Sequence, residues 1–144
     1  MSTLKILLVA TDFSVAAETA LDFALPLAAT LGAKVYLLHA YQLPPQNVFV
    51  TTAQIALGVT ALAEKELADC VAKRKESSVQ IVPMLKQADA REAILEAAEE
   101  VSADLVIMGT HGRRGIARAL IGSVAEAVVR ASPVPVLTVH AAVP

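Results

Sequence analysis

The sequence predicts an α/β fold: a five-stranded parallel sheet, doubly wound in the Rossmann-like manner with helices on both faces. Three observations carry that expectation. Short aliphatic runs alternate with longer amphipathic segments in the order βαβαβαβαβ, which implies right-handed crossovers between parallel strands. The short runs are almost uninterruptedly apolar, as strands covered on both faces must be. The length of 144 residues suits one domain, residues 1–144, and the 28 alanines against three Phe, two Tyr and no Trp imply a core of small side chains with helices lying close to the sheet.

The elements follow in order. A first strand over Leu4–Ala10 leads to Ser14, which can cap a helix running to Leu31, with Gly32 closing it in a left-handed conformation. Pro26 should remove the bond to the Asp22 carbonyl and bend this helix. A second strand spans Lys34–Ala40, and Tyr41–Val50, with Pro44-Pro45, reads as a loop too long for a mere connector. A helix over Thr52–Glu76, a third strand over Val79–Leu85, and a helix over Asp89–Val101 with Asp89 as its cap come next. A fourth strand over Asp104–Met108, a helix over Ser123–Ala131 and a last strand over Val134–Val139 complete the pattern.

Composition excludes several function classes. With 12 basic and 14 acidic residues the net charge of −2 gives no bulk attraction to nucleic acid or anionic membranes. The longest uncharged stretch, Val35–Ala63, is broken by Pro44-Pro45 and several polar residues, so no membrane span is expected. The single Cys70 forms neither a disulfide nor a cysteine metal cage, and the N-terminus lacks a secretory pattern; both point to a reducing, cytoplasmic setting.

One spacing carries chemistry. Gly109-Thr110-His111-Gly112, nine residues, then Gly122-Ser123 lies between the fourth strand and the fourth helix. Glycines let backbone N–H groups approach an anion, and a helix N-terminus adds unsatisfied donors. Ser123 can donate its hydroxyl or cap the helix. Arg113, Arg114, Arg118 and Arg130 against Glu126 give residues 109–130 a charge of +3, leaving −5 on the remainder. Such an island suits an anionic ligand.

With this motif the sequence resembles the universal stress proteins, in particular the subgroup marked by Gly-x2-Gly-x9-Gly-[Ser/Thr]. The likeness extends to Ala10-Thr11-Asp12-Phe13-Ser14, Leu37-Leu38-His39-Ala40 and the closing run from Ser132 to Val139. The resemblance implies a sheet ordered 3-2-1-4-5 and a site for ATP with Mg2+ or Mn2+. It places Ala10, Thr11 and Asp12 beside the nucleoside and the backbone of Ala40 at the adenine edge. Gly109, His111, Gly112 and Arg113 then follow the ribose and phosphates, and Gly122, Ser123 and Val124 hold the distal phosphates. It also implies a homodimer formed by antiparallel pairing of the last strand. Ala40 stands where the family often has Val, and Ala10 where it often has Pro.

Plainer readings remain beside these. Asp12 could simply cap the first helix, His39 read as a satisfied core histidine, His140 as a tail residue and Cys70 as an inert packing residue. The three histidines have no metal-ligand spacing. Neither a dinucleotide fingerprint nor a Walker loop nor a nucleophile elbow is present, so a nucleotide would be held without a visible group to activate water. At most slow hydrolysis is expected; a phosphoryl-transfer enzyme and a nucleotide-free scaffold are the alternatives.

Overall fold

A computed structural model describes residues 3–44, 52–110 and 121–141. Five strands, β1 (Ile6–Ala10), β2 (Lys34–Tyr41), β3 (Ile81–Gln87), β4 (Leu105–Gly109) and β5 (Val136–Val139), alternate with four helices, α1 (Val15–Leu31), α2 (Thr52–Ala72), α3 (Ala90–Glu100) and α4 (Ser123–Ala131). All strand pairs are parallel and the order is β3-β2-β1-β4-β5, as expected.

Alternation along each strand divides the apolar side chains between two layers. Leu7, Val9, Val35, Leu37 and Ile107 point to one face, where Ala20, Leu21, Ala24 and Ala28 of α1 and Leu67 of α2 cover them. Leu8, Leu38, Val106 and Met108 point to the other, against Ala93, Ile94, Ala97 and Ala98 of α3 and Ala125 and Val128 of α4. The alanines therefore form the inward stripes of the helices, and a stripe without bulk lets the helix axis approach the sheet.

Side chains set where elements begin and end. Ser14 accepts from Ala17 N–H at the start of α1, and Asp89 accepts from Arg91 and Glu92 N–H at the start of α3. Gly32, with φ of 64°, ends α1 in the left-handed conformation, bonding back to Ala28 and Ala29. Pro26 lies on the exposed face of an uninterrupted α1, where the carbonyl that loses its partner is on the solvent side. β1 starts two residues later than Leu4 because the Asp104 carboxylate takes the Lys5 and Ile6 N–H groups, each at 2.9 Å. β3 starts after Val79, whose N–H goes to Ser77 Oγ at 3.2 Å. β5 starts after Val134, which Ser132 holds in a hydroxyl-closed turn, and after Pro135, which has no N–H. α2 stops at Ala72, where bonds such as Arg74 N–H to Val71 O tighten the backbone into turns. Tyr41 belongs to β2, not to the loop, and its hydroxyl is 3.0 Å from Thr60 Oγ1 of α2. Of the expected 41–50 loop, residues 45–50 lie outside the described residues. Among the described residues no helix is long and apolar enough to cross a membrane.

Candidate functional site

The helix that follows β1, α1, covers one face of the sheet, and the helix that follows β4, α4, packs on the opposite face. These two strands are neighbours, so their C-terminal ends form the switch point at which open α/β sheets bind ligands. Ala10 closes β1 and Gly109 closes β4; Thr11 and Asp12 follow Ala10 directly. Ala40 lies near the end of β2, in register with Lys86 of β3.

The turn after β1 is tied by its own side chains. Thr11 N–H bonds Leu38 O at 2.8 Å, Phe13 N–H bonds Thr11 Oγ1 at 3.0 Å and Ser14 N–H bonds Asp12 Oδ1 at 2.9 Å. Asp12 is thus an Asx turn leading into the helix, while Ser14 is the cap. Phe13 adopts φ of 64°, a left-handed conformation uncommon for a bulky residue. The His39 ring packs 4.4 Å from the Phe13 ring and bonds the Thr11 carbonyl through Nδ1 at 2.9 Å. The sequence reading of His39 as a satisfied histidine is correct in kind, but its partner is the site loop. No pattern in the sequence announces the Phe13 conformation, because φ there is imposed by the surrounding bonds.

Gly109 has a packing reason to be a glycine, in addition to the one its motif suggests. A Cβ built on it would lie 2.6 Å from both the carbonyl carbon and the carbonyl oxygen of Ala16, so the missing side chain admits the first turn of α1 against the end of β4. This close approach brings the Asp12 turn and the end of β4 together. Next to it Thr110 is almost fully buried; its N–H bonds Val139 O at 3.1 Å and its hydroxyl is 2.9 Å from His140 Nδ1. His140 is therefore fixed to the end of β4 and is not a loose tail residue.

At the other end of the motif the cap of α4 is Gly122, not Ser123. Gly122 has φ −62° and ψ 159°; its carbonyl accepts from Glu126 N–H at 2.9 Å, but it has no side chain with which to cap the N–H groups that precede Glu126. Ser123 is the first helical residue, exposed alongside Val124. Arg130 pairs with Glu126 at 3.0 Å, and these charges cancel. The positive surplus of the segment thus rests on Arg113, Arg114 and Arg118, which with His111 and Gly112 lie outside the described residues. At the end of β3, Lys86 is held by Glu100 at 2.6 Å, with Glu96 at 3.7 Å; the Glu100 hydrogen bond raises its pKa.

Among the described residues no group of three or more His, Cys, Asp or Glu is placed to hold a metal. Cys70 is buried between α2 and α1, where Arg74 bonds Glu18 and, at 3.1 Å, Asp22. Burial of Arg74 opposes its charge, yet the bonds to Glu18 and Asp22 outweigh it and raise its pKa. Burial first, and the nearby Glu18 carboxylate second, push the Cys70 thiol up to about 11 from 9.0, which suits an inert packing residue. The folded protein therefore keeps a proton that the unfolded protein releases above pH 9. The stability this group contributes is complete below pH 9 and lost as pH rises toward about 11, by roughly 2–3 kcal/mol. Urea denaturation at pH 8 and pH 10.5 is expected to show a loss about 2 kcal/mol larger in the parent than in Cys70→Val, the lysines with raised pKa contributing equally to both.

Comparison with known proteins agrees with this geometry. The model of the universal stress protein family matches residues 3–140. A universal stress protein of Methanocaldococcus jannaschii, MJ0531, is 34% identical over 140 residues, covering 94% of this chain and 81% of the relative. The solved structure of MJ0577, from the same organism, superposes with a TM-score of 0.86 at 26% identity, covering 99% of this chain and 100% of that one. A universal stress protein solved in complex with cAMP superposes with a TM-score of 0.75 at 27% identity, covering 98% of this chain and 100% of that one.

Proposed function

Since the chain belongs to the universal stress protein family, we propose that it binds ATP at the switch point between β1 and β4 and acts as a homodimeric regulatory module in a stress response. The observation that carries this reading is the convergence, at neighbouring strand ends, of the Asp12 turn and the glycine that lets α1 abut β4. The Gly-x2-Gly-x9-Gly-Ser spacing leads from that point to the α4 N-terminus, whose cap residue provides no side-chain bond. Ala10, Thr11, Asp12 and Ala40 would meet the nucleoside; Gly109, His111, Gly112 and Arg113 the ribose and inner phosphates; Gly122, Ser123 and Val124 the outer ones. A cAMP complex in a relative supports the adenine nucleotide class.

Mg2+ or Mn2+ would arrive with the nucleotide, held chiefly by its phosphate oxygens, since such ions commonly take few protein ligands. In this reading the protein is a binding module of the cytoplasm, with turnover below roughly 1 per second, the low end of ordinary enzymes. The homodimer reading rests on β5, which ends the sheet order with a row of aliphatic residues, while Pro135 beside it restricts the pairing register.

Calorimetric titration of stripped protein with ATP and Mg2+ is expected to give saturable one-site binding, and protein purified without added nucleotide is expected to release an adenine nucleotide on denaturation. Absence of heat and of any thermal shift would end the ligand assignment. Sedimentation with and without ATP tests the assembly separately, a monomer under both conditions ending the dimer reading.

A further inference from the structure

The bonds around β2 fix the direction in which each of its backbone groups points. Along this strand the backbone groups of odd-numbered residues face β3, as Val35 N–H to Gln80 O and Ala88 N–H to Tyr41 O show. Those of even-numbered residues face β1, as Lys34 N–H to Lys5 O and Thr11 N–H to Leu38 O show. Ala40 therefore directs its N–H and C=O toward the side that β1 has just left. In a parallel ladder the bond after Thr11 N–H to Leu38 O would run from Ala40 N–H to the Thr11 carbonyl. The Thr11 carbonyl is taken instead by His39 Nδ1 at 2.9 Å. A carbonyl only accepts, so Nδ1 carries the proton. The Phe13 ring, 4.4 Å away and tilted by 44°, holds the imidazole there, and the left-handed Phe13 backbone turns away from the sheet.

We infer that His39 is a positioning residue for base recognition: its side chain, on the same face of β2 as Val35 and Leu37, draws the Thr11 carbonyl out of the plane of the ladder, ends the β1–β2 pairing one bond early and reserves the Ala40 backbone N–H for the base. This rests on the nucleotide reading above and names the feature of the ligand that the site discriminates. Adenine presents an acceptor, N1, beside a donor, its exocyclic amine, the complement of one residue's N–H and C=O. Hypoxanthine carries a proton at N1 and an oxygen in place of the amine, and is mismatched at both positions. ATP against ITP is therefore the informative pair.

The first measurement needs no nucleotide. Amide hydrogen exchange by NMR on the wild-type apoprotein is expected to show Ala40 N–H exchanging about tenfold or more faster than Leu38 N–H, which lies within the ladder. In His39→Leu nothing draws the Thr11 carbonyl out of the ladder, so it turns back toward Ala40 N–H and exchange at Ala40 slows. The preference for ATP over ITP then falls by about three- to tenfold, the worth of one hydrogen bond. His39→Asn, whose side-chain amide nitrogen replaces Nδ1, restores both readouts; a purely structural histidine would shift both affinities together and leave their ratio alone. An Ala40 amide as protected as Leu38 in the wild type overturns the His39 inference by itself. So does an unchanged ATP to ITP ratio in His39→Leu. Failure of both nucleotides to bind the wild type overturns the nucleotide reading and the base-recognition role with it, whatever the exchange rates.

Discussion

Replacing Gly109 by alanine is expected to lower the stability of the protein by about 2–3 kcal/mol, seen as a melting midpoint about 10 °C lower. The added Cβ would meet the Ala16 carbonyl carbon and oxygen at 2.6 Å and the Ala16 side chain at 3.0 Å. Backbone atoms cannot rotate aside as a flexible side chain would, so either α1 or β4 must move. α1 is held by the core residues Ala17, Ala20, Leu21 and Ala24, and β4 by its pairing with β1 and β5. The displacement falls on the first turn of α1, which carries the Ser14 cap and follows the Asp12 turn. A weaker affinity for nucleotide should therefore accompany the lost stability. Stability within about 0.5 kcal/mol of the parent, measured by urea denaturation, would show that the first turn of α1 yields freely and that the close approach is incidental.

The second large effect is on binding alone. Gly122→Val with Ser123→Ala is expected to reduce ATP affinity by about a hundredfold or more while the fold persists. Gly122 has φ −62° and ψ 159°, an extended conformation that valine adopts readily, and Ser123 is an exposed first helical residue where alanine is a good helix former. The branched side chain would occupy the approach to the α4 N-terminus, and the serine hydroxyl would be lost as a donor. Together these remove about 2.7 kcal/mol of interaction, equivalent to that hundredfold. Unchanged affinity by calorimetry, with an unchanged melting midpoint, would move the phosphates away from α4 and contradict the assigned cradle. Because Gly109→Ala perturbs both stability and binding whereas this pair perturbs binding only, the two variants separate the packing role of Gly109 from the binding role of the α4 N-terminus.

Several features are legible in the sequence itself. Ser14, Asp89 and Gly32 mark helix ends because capping is a matter of neighbouring residues. The apolar runs mark strands because a strand buried on both faces needs such runs wherever it sits. The glycine spacing and the Asp12 element point to one end of the sheet because both directly follow strands. What escapes is relational. Gly109 is a glycine because of Ala16, 93 residues earlier in the sequence. The carboxylate of Asp104 decides where β1 starts, and His140 is bound to Thr110. Ser123, equally eligible by residue type, is not the cap, since the local backbone places Gly122 there.

Periodicity, punctuation and motif, which depend on residues close in the sequence, thus determined the fold class, the element order and the strand ends at which to look. Which atoms face each other at those ends was decided by tertiary structure alone. The sheet juxtaposes β1, β2 and β4, whose residues are remote in sequence, and the Thr11 carbonyl can be offered to His39 or to Ala40 with no trace of the choice in the sequence. That choice is made by packing, through the Phe13 ring against the imidazole and the left-handed turn that ends the ladder.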